Sequence, residues 1–140
     1  MKRSYLKRSN KPIRKKRKEP RFIDLAWTAF SRWIRKRDSN EFGQGNCITC
    51  GIEVHVPSLK AHAGHFIHGK YKKTYFNEKN VHLQCRSCNF FKDGARDVYA
   101  LKLIERYGDG IIQELHKENK QKSWTKTELE EIIKKYEYTS

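Results

Sequence analysis

Apolar residues are scarce in this chain of 140 residues: 36% are hydrophobic against 34% charged, and the mean hydropathy is -0.95. A chain of this length folds as one domain and buries roughly two-thirds of its unfolded surface, so a single small core is expected. No run of 18 apolar residues occurs, which excludes a membrane-spanning helix. The N-terminus has neither the apolar stretch nor the small-residue cleavage site of a secretory leader, so an intracellular, cytoplasmic chain is expected. Acidic residues are also scarce, 16 against 31 Lys and Arg, and the net charge of +15 with a pI near 9.8 suits a polyanionic partner. No internal repeat is found.

The charge is unevenly placed. Residues 1–37 hold fifteen Lys and Arg against Glu19 and Asp24, a net of +13, whereas residues 38–140 carry a net of only +2. Within 1–19 ten cations and almost no apolar residues leave too little burial to offset ordering entropy. This segment is expected to be a disordered basic arm, for which a solvated tail or localisation signal is the plainer reading, and 20–140 a single domain. Ile23, Trp27, Phe30 and Ile34, with Ala26 and Trp33 beside them, predict an amphipathic helix over Phe22 to Arg37 whose aromatic stripe faces the core. Its carboxyl end carries Arg35, Lys36 and Arg37, where the macrodipole favours cations and a phosphate could be met.

Asp38 to Asn46 reads as a turn-rich loop. Ile52, Val54 and Val56 alternate as a strand that Pro57 ends, and His62 to Ile67 and Asn80 to Gln84 are two further strands. Val98, Leu101, Ile104 and Glu105 predict one face of a helix that Gly108 stops. Ile111 to Lys117 is a second helix, and Leu129, Ile132, Ile133 and Tyr136 mark a third, opened by a Thr125–Glu128 capping box.

Cys47 and Cys50 form one CxxC pair, Cys85 and Cys88 another, with 34 residues between the pairs. In an intracellular chain two such knuckles read as four thiolate ligands for structural Zn²⁺ rather than as disulfides. Gly51, directly after the first pair, suits the positive φ of a backbone turning over the metal. A CCHH finger of Cys47, Cys50, His62 and His65 is the weaker reading, since only two residues separate the histidines and Cys85 and Cys88 would be orphaned. A zinc deaminase would need His-x-Glu and a proline before its CxxC, and a redox pair would need a thioredoxin-like context; neither is present.

Between the knuckles stands His62-Ala63-Gly64-His65-Phe66-Ile67, and Asn80 through Cys85-Arg86-Ser87-Cys88-Asn89 closes the second. Zinc joining the knuckles would bring His65, Asn80 and Asn89 to one patch. An imidazole is a suitable general base near neutral pH, and an amide oxygen suits Mg²⁺ or Mn²⁺. These are parts of a one-metal phosphodiesterase. The alternative is that His65 and Asn80 only hydrogen-bond the knuckles.

Paired CxxC knuckles bracketing Gly-His-Phe, with Asn80 ahead of Asn89, resemble the HNH (ββα-metal) nucleases in the variant that ends in Asn, including the endonuclease VII-like junction resolvases. The stretches 62–66 and 76–89 are closer still to the NinG (Rap) family of lambdoid phage recombination nucleases. The resemblance covers about 22–115. It implies an α+β fold, a small zinc-stabilised ββα-metal core over 47–107, flanked by the N-terminal helix and by C-terminal helices over 95–140. It also implies that His65 activates water, that Asn80 orients the His65 strand, that Asn89 binds a catalytic Mg²⁺ or Mn²⁺, and that the four cysteines hold zinc. Many HNH nucleases place a metal-binding Asp or His just before the base, where this chain has Gly64. An imidazole reaching across that space, His62, is expected as the second ligand, the plainer reading being a histidine packed beside the zinc.

Lys70, Lys72 and Lys73, interleaved with Tyr71, Tyr75 and Phe76, are expected to meet DNA together with Arg35, Lys36 and Arg37, the rings stacking on unpaired bases or else facing the core. Neither feature reads base edges, so recognition of shape and charge is expected, and the resemblance points to branched DNA such as D-loops and Holliday junctions. Symmetric resolution of a junction would favour a homodimer, and a phage-encoded chain would act in the bacterial cytoplasm. The competing reading is a non-catalytic zinc module that binds nucleic acid.

Overall fold

The structure is a computed structural model and describes residues 21–137; the basic arm over 1–19 lies outside them. The first helix, α1, spans Phe22–Arg37, the bounds that the spacing predicts. It buries Ile23, Ala26, Phe30 and Ile34, with Trp27 and Trp33 packed at the margin, so the aromatic stripe is core. The following loop is shorter than expected. Gln44–Asn46 (β1) pairs antiparallel with Glu53–His55 (β2), and the connection between them carries Cys47 and Cys50.

A second antiparallel pair joins Ala61–His65 (β3) to Val81–Cys85 (β4), with His62 opposite Gln84 and Gly64 opposite His82. The expected strand over His62 to Ile67 stops at His65 for a local reason: the Ile67 N–H and C=O both bond the Asn80 side chain instead of a neighbouring strand. The β3–β4 connection contains a 3₁₀ turn, Lys73–Phe76, in which Tyr75 and Phe76 are buried, so these two rings are core and not stacking platforms. After β4 come a π-helical turn, Ser87–Phe91, and a short 3₁₀ turn, Asp93–Ala95.

Three helices complete the described chain: Arg96–Tyr107 (α2), Ile111–Glu118 (α3) and Lys126–Glu137 (α4). In α2 the buried residues are Tyr99 and Leu103, while Val98 and Leu101 are exposed and Glu105 pairs with Lys102 at the surface. The apolar stripe read from the sequence was therefore rotated by about one position. Tyr99 wins the inner face because its ring packs on Phe66 while its hydroxyl finds the Gly64 carbonyl at 2.7 Å. The capping box of α4 is present, Glu128 N–H donating to Thr125 Oγ1 at 3.2 Å and Thr125 N–H to Glu128 Oε2 at 3.4 Å. Leu129 and Tyr136 then pack α4 on α1, Tyr136 edge-on to Phe30 at 4.8 Å.

The core divides into three clusters that position the β3–β4 pair. Val81 and Ala63 face α1 and α4; Ala61, Leu83 and Cys85 face the cysteine knuckles; Phe66 packs with Tyr99, Leu103 and Leu115 of α2 and α3. Among the described residues no helix is long and apolar enough to cross a membrane.

Candidate active site and metal centre

Cys47 and Cys50 come from the β1–β2 connection, Cys85 from the end of β4 and Cys88 from the π-helical turn. Their Sγ atoms all lie within 4.8 Å of one another. The Cys50 and Cys85 sulfurs are 3.7 Å apart, close to the edge of about 3.8 Å for a tetrahedron with Zn–S bonds of about 2.3 Å. Gly51 has φ +76°, as the turn requires, and its N–H donates to Cys47 O at 2.9 Å. The Cys88 N–H points at Cys85 Sγ at 3.4 Å. Burial works against ionisation of Cys47, yet the Thr49 hydroxyl and nearby backbone N–H groups bring its thiol down to about 6; burial pushes Cys85 up to about 12. Four thiols this close share negative charge unevenly, and a divalent cation is what would let all four ionise. The donor set fits zinc.

Beside this cluster an open cavity of about 530 Å³ lies along the free edge of β3. Residues on the two faces of a strand point in opposite directions, but both faces reach a cavity that wraps its edge, so His62 and His65 line it together. Trp27, Arg35, His68 and Asn89 complete the lining used below. The His65 ring packs on Trp27, at 4.6 Å, and on Tyr75, at 4.9 Å, two rings that also touch each other at 5.1 Å. Its Nε2 is 3.0 Å from the Tyr75 carbonyl. A carbonyl only accepts, so Nε2 carries the proton and Nδ1 is left with a lone pair. Burial, and secondarily His68, hold this imidazole neutral, its pKa brought down to about 4 against the pull of the Tyr75 carbonyl.

His62 is fixed by the same logic. Its Nε2–H donates to Leu59 O at 3.1 Å, and its Nδ1 accepts from Asn89 Nδ2–H at 3.0 Å. The Asn89 Oδ1 projects over Gly64: a Cβ built on that glycine would lie 3.1 Å from Oδ1 and would overlap Gln84 Oε1. A residue with a side chain at position 64 would therefore collide with the Gln84 amide, which fills the space beside Gly64. Asn89 and His62 thus meet at one point of the cavity, and His65 faces it from the other side.

Asn80 is fully buried and touches none of these groups. Its Oδ1 accepts from Ile67 N–H at 2.8 Å, and its Nδ2 donates to Ile67 O and Thr74 O, each at 3.0 Å. Ile67 follows His65 by two residues and Thr74 precedes Tyr75, so this one amide ties both arms of the loop that holds the His65 ring.

The expected DNA-contacting cations are differently situated. Arg35 lines the cavity and Lys36 and Lys73 are exposed. Lys72 is partly buried, and Lys70 pairs with Asp24 at 2.9 Å. Arg37 is engaged within the protein, its guanidinium bonding both Asp38 carboxylate oxygens and the carbonyls of Glu78 and Val81.

Sequence reasoning gave no role to His82, Tyr99, Tyr107 or Gln84. His82 is fully buried, with Nδ1 3.2 Å from Tyr99 Oη and Nε2 2.7 Å from Tyr107 Oη. The Tyr99 hydroxyl donates to Gly64 O, so it accepts from His82 Nδ1–H, and Tyr107 donates to Nε2. This relay secures the back of β3 behind the cavity. The signal available was an alternating buried-polar pattern in β4, His82 and Gln84 on one face.

The fold and cluster define a mixed α+β protein organised around a four-cysteine candidate zinc site. A family model described as Bacteriophage Lambda NinG protein matches residues 2–139, and the chain belongs to the NinG family. It is 34% identical over 128 residues to Protein ninG of Salmonella phage P22, covering 89% of this chain and 60% of that one. It is 33% identical over 128 residues to Protein ninG of Escherichia phage lambda, covering 89% and 59%. The chain thus spans about three-fifths of the length of these relatives. No solved structure matches it significantly.

Proposed function

We propose that this chain is a metal-dependent DNA endonuclease of the HNH (ββα-metal) kind, hydrolysing phosphodiester bonds in branched recombination intermediates such as D-loops and Holliday junctions. The carrying observation is His65: a neutral imidazole, oriented by the Tyr75 carbonyl so that Nδ1 keeps its lone pair, lining the same open cavity as His62 and Asn89. The order β3, β4, helical turn supports the ββα reading. Nδ1 takes a proton from water, the water oxygen bonds to phosphorus, the bond from phosphorus to the leaving sugar oxygen breaks, and that oxygen takes a proton from solvent.

His62 Nδ1 and Asn89 Oδ1 are the groups that would hold Mg²⁺ or Mn²⁺, which when bound neutralises charge on the phosphate. The imidazole makes Mn²⁺ at least as effective as Mg²⁺. Arg35 sits where it can meet the phosphate, and the basic arm over 1–19, with Lys36 and Lys73, supplies sequence-independent affinity.

The test is incubation of the protein with labelled duplex, D-loop and four-way junction in Mg²⁺, Mn²⁺ or EDTA. Cleavage of branched substrates is expected, metal-dependent and, because His65 is unprotonated above about pH 4, not limited by this base until the pH falls to about 4. His65→Ala should cost about 10² to 10⁴ in rate with DNA binding kept. Wild-type cleavage by that variant refutes the assignment, and binding without cleavage by the native protein leaves the non-catalytic zinc module.

A further inference from the structure

Among the described residues Gln84 Oε1 is the one fully buried side-chain oxygen or nitrogen without a hydrogen-bond partner. Such an atom costs free energy and calls for an explanation. Rotation of the Gln84 amide cannot relieve it. Its Nε2 donates to the Gly94 carbonyl at 2.9 Å and to Thr49 Oγ1 at 3.2 Å, and a carbonyl accepts only from nitrogen here. Oε1 is therefore fixed, aimed into the notch that Gly64 leaves open, where Asn89 Oδ1 also projects. Two carbonyl oxygens share one notch with no proton between them.

The Asn89 carboxamide has a second orientation, reached by half a turn. There Nδ2–H faces the notch and its acceptor, Gln84 Oε1, while Oδ1 stands beside His62 Nδ1. Without a cation that orientation sets two lone pairs against each other, and the Nδ2–H to Nδ1 bond of 3.0 Å is preferred. With a cation it becomes favourable: two neighbouring ligands of an octahedral ion with bonds of about 2.1 Å are about 3.0 Å apart. Because the His62 proton is held on Nε2 by Leu59 O, its Nδ1 is available in either state.

We infer that Gln84 is a positioning residue for the catalytic metal, its unpartnered Oε1 receiving the Asn89 amide when Asn89 turns its oxygen to the cation beside His62. This rests on the reading of His62 and Asn89 as metal ligands. Gly64 is then required for a second reason, since any side chain there would occupy the notch through which the two amides meet.

The experiment titrates the zinc-loaded protein with Mn²⁺ in the absence of DNA, followed by electron paramagnetic resonance. Gln84→Met, which keeps the bulk and removes the acceptor, should weaken Mn²⁺ binding about 10- to 100-fold, the range for groups that orient a ligand from behind. Gln84→Glu, which keeps an acceptor, should stay closer to wild type. In protein labelled with ¹⁵N-asparagine, the Asn89 side-chain amide resonances should shift on saturation with diamagnetic Mg²⁺. Wild-type Mn²⁺ affinity in Gln84→Met overturns the inference while leaving the ligand assignment standing, whereas Asn89 resonances unmoved by bound Mg²⁺ overturn both. Absence of Mn²⁺ binding by the native protein, or binding that His62→Ala and Asn89→Ala do not affect, overturns both. Should Gln84→Met not fold, the Asn89 Nδ2 protons decide: a downfield shift on Mg²⁺ saturation is expected in wild type and in Gln84→Glu, for a new hydrogen bond to the side-chain carbonyl at position 84, and its absence from both overturns the inference.

Discussion

Acidification should weaken this fold through one buried imidazole, and the loss can be worked from its surroundings. His82 is sealed behind β3, and burial first, then the nearby Arg37 guanidinium, push its pKa from the ordinary 6.5 down to about 3, Asp38 offsetting part of this. The folded value lies below the unfolded one, so between pH 6.5 and 3 the unfolded chain binds more protons. Stability from this group is complete above about pH 6.5 and is lost as pH falls. For those two values the loss is about 2 kcal/mol by pH 5 and about 3 kcal/mol by pH 4. His65 and the cysteine thiols add losses of the same sign, so the slope of native protein alone does not isolate His82. His82→Gln does: the amide can still donate to Tyr99 and accept from Tyr107 but does not titrate. Urea unfolding at saturating zinc, compared at pH 7 and pH 5, should give a loss about 2 kcal/mol smaller in the variant, whatever its stability at pH 7. Equal losses in the two proteins would refute the argument that His82 is held neutral by its burial.

Two further perturbations test the site from other sides. Gly64→Ala forces a methyl group onto the Gln84 amide and should destabilise by about 1–3 kcal/mol, measured by urea unfolding; since the overlap is with that one side chain, shortening Gln84 to Ser in the same chain should recover part of the loss, and no coupling between the two would speak against the packed notch. Removing zinc with a chelator, or replacing Cys85 by Ser, should unfold the knuckles and the β3–β4 pair with them, because metal binding of this kind contributes on the order of 10 kcal/mol; retention of the native circular dichroism after complete zinc loss would refute a structural role.

How much of this was legible in the sequence depended on whether the signal was local. α1 and the capping box of α4 could be read because helical spacing and a Thr-x-x-Glu cap are properties of one segment. The cysteine cluster could be read because thiols at this spacing have few other uses. His62, His65 and Asn89 could be gathered into one neighbourhood, the knuckles on either side leaving the chain little freedom between them. The rest turned on contacts between distant segments. Tyr99 displaced Val98 and Leu101 from the buried face of α2 because a backbone carbonyl 35 residues away accepts its hydroxyl, a term that apolar periodicity cannot contain. Arg37 resembled its neighbours Arg35 and Lys36 in every local respect, and only the placement of Asp38, Glu78 and Val81 turned its guanidinium inward. Gly64 was legible as a missing ligand but not as a notch, since what fills the space comes from the partner strand. Position 84 lies opposite position 62 in the pairing, and a one-residue slip of that register would carry Gln84 to the other face of the sheet. The role of the glycine is therefore written in the register of β3 against β4, which the sequence determines only through the fold as a whole.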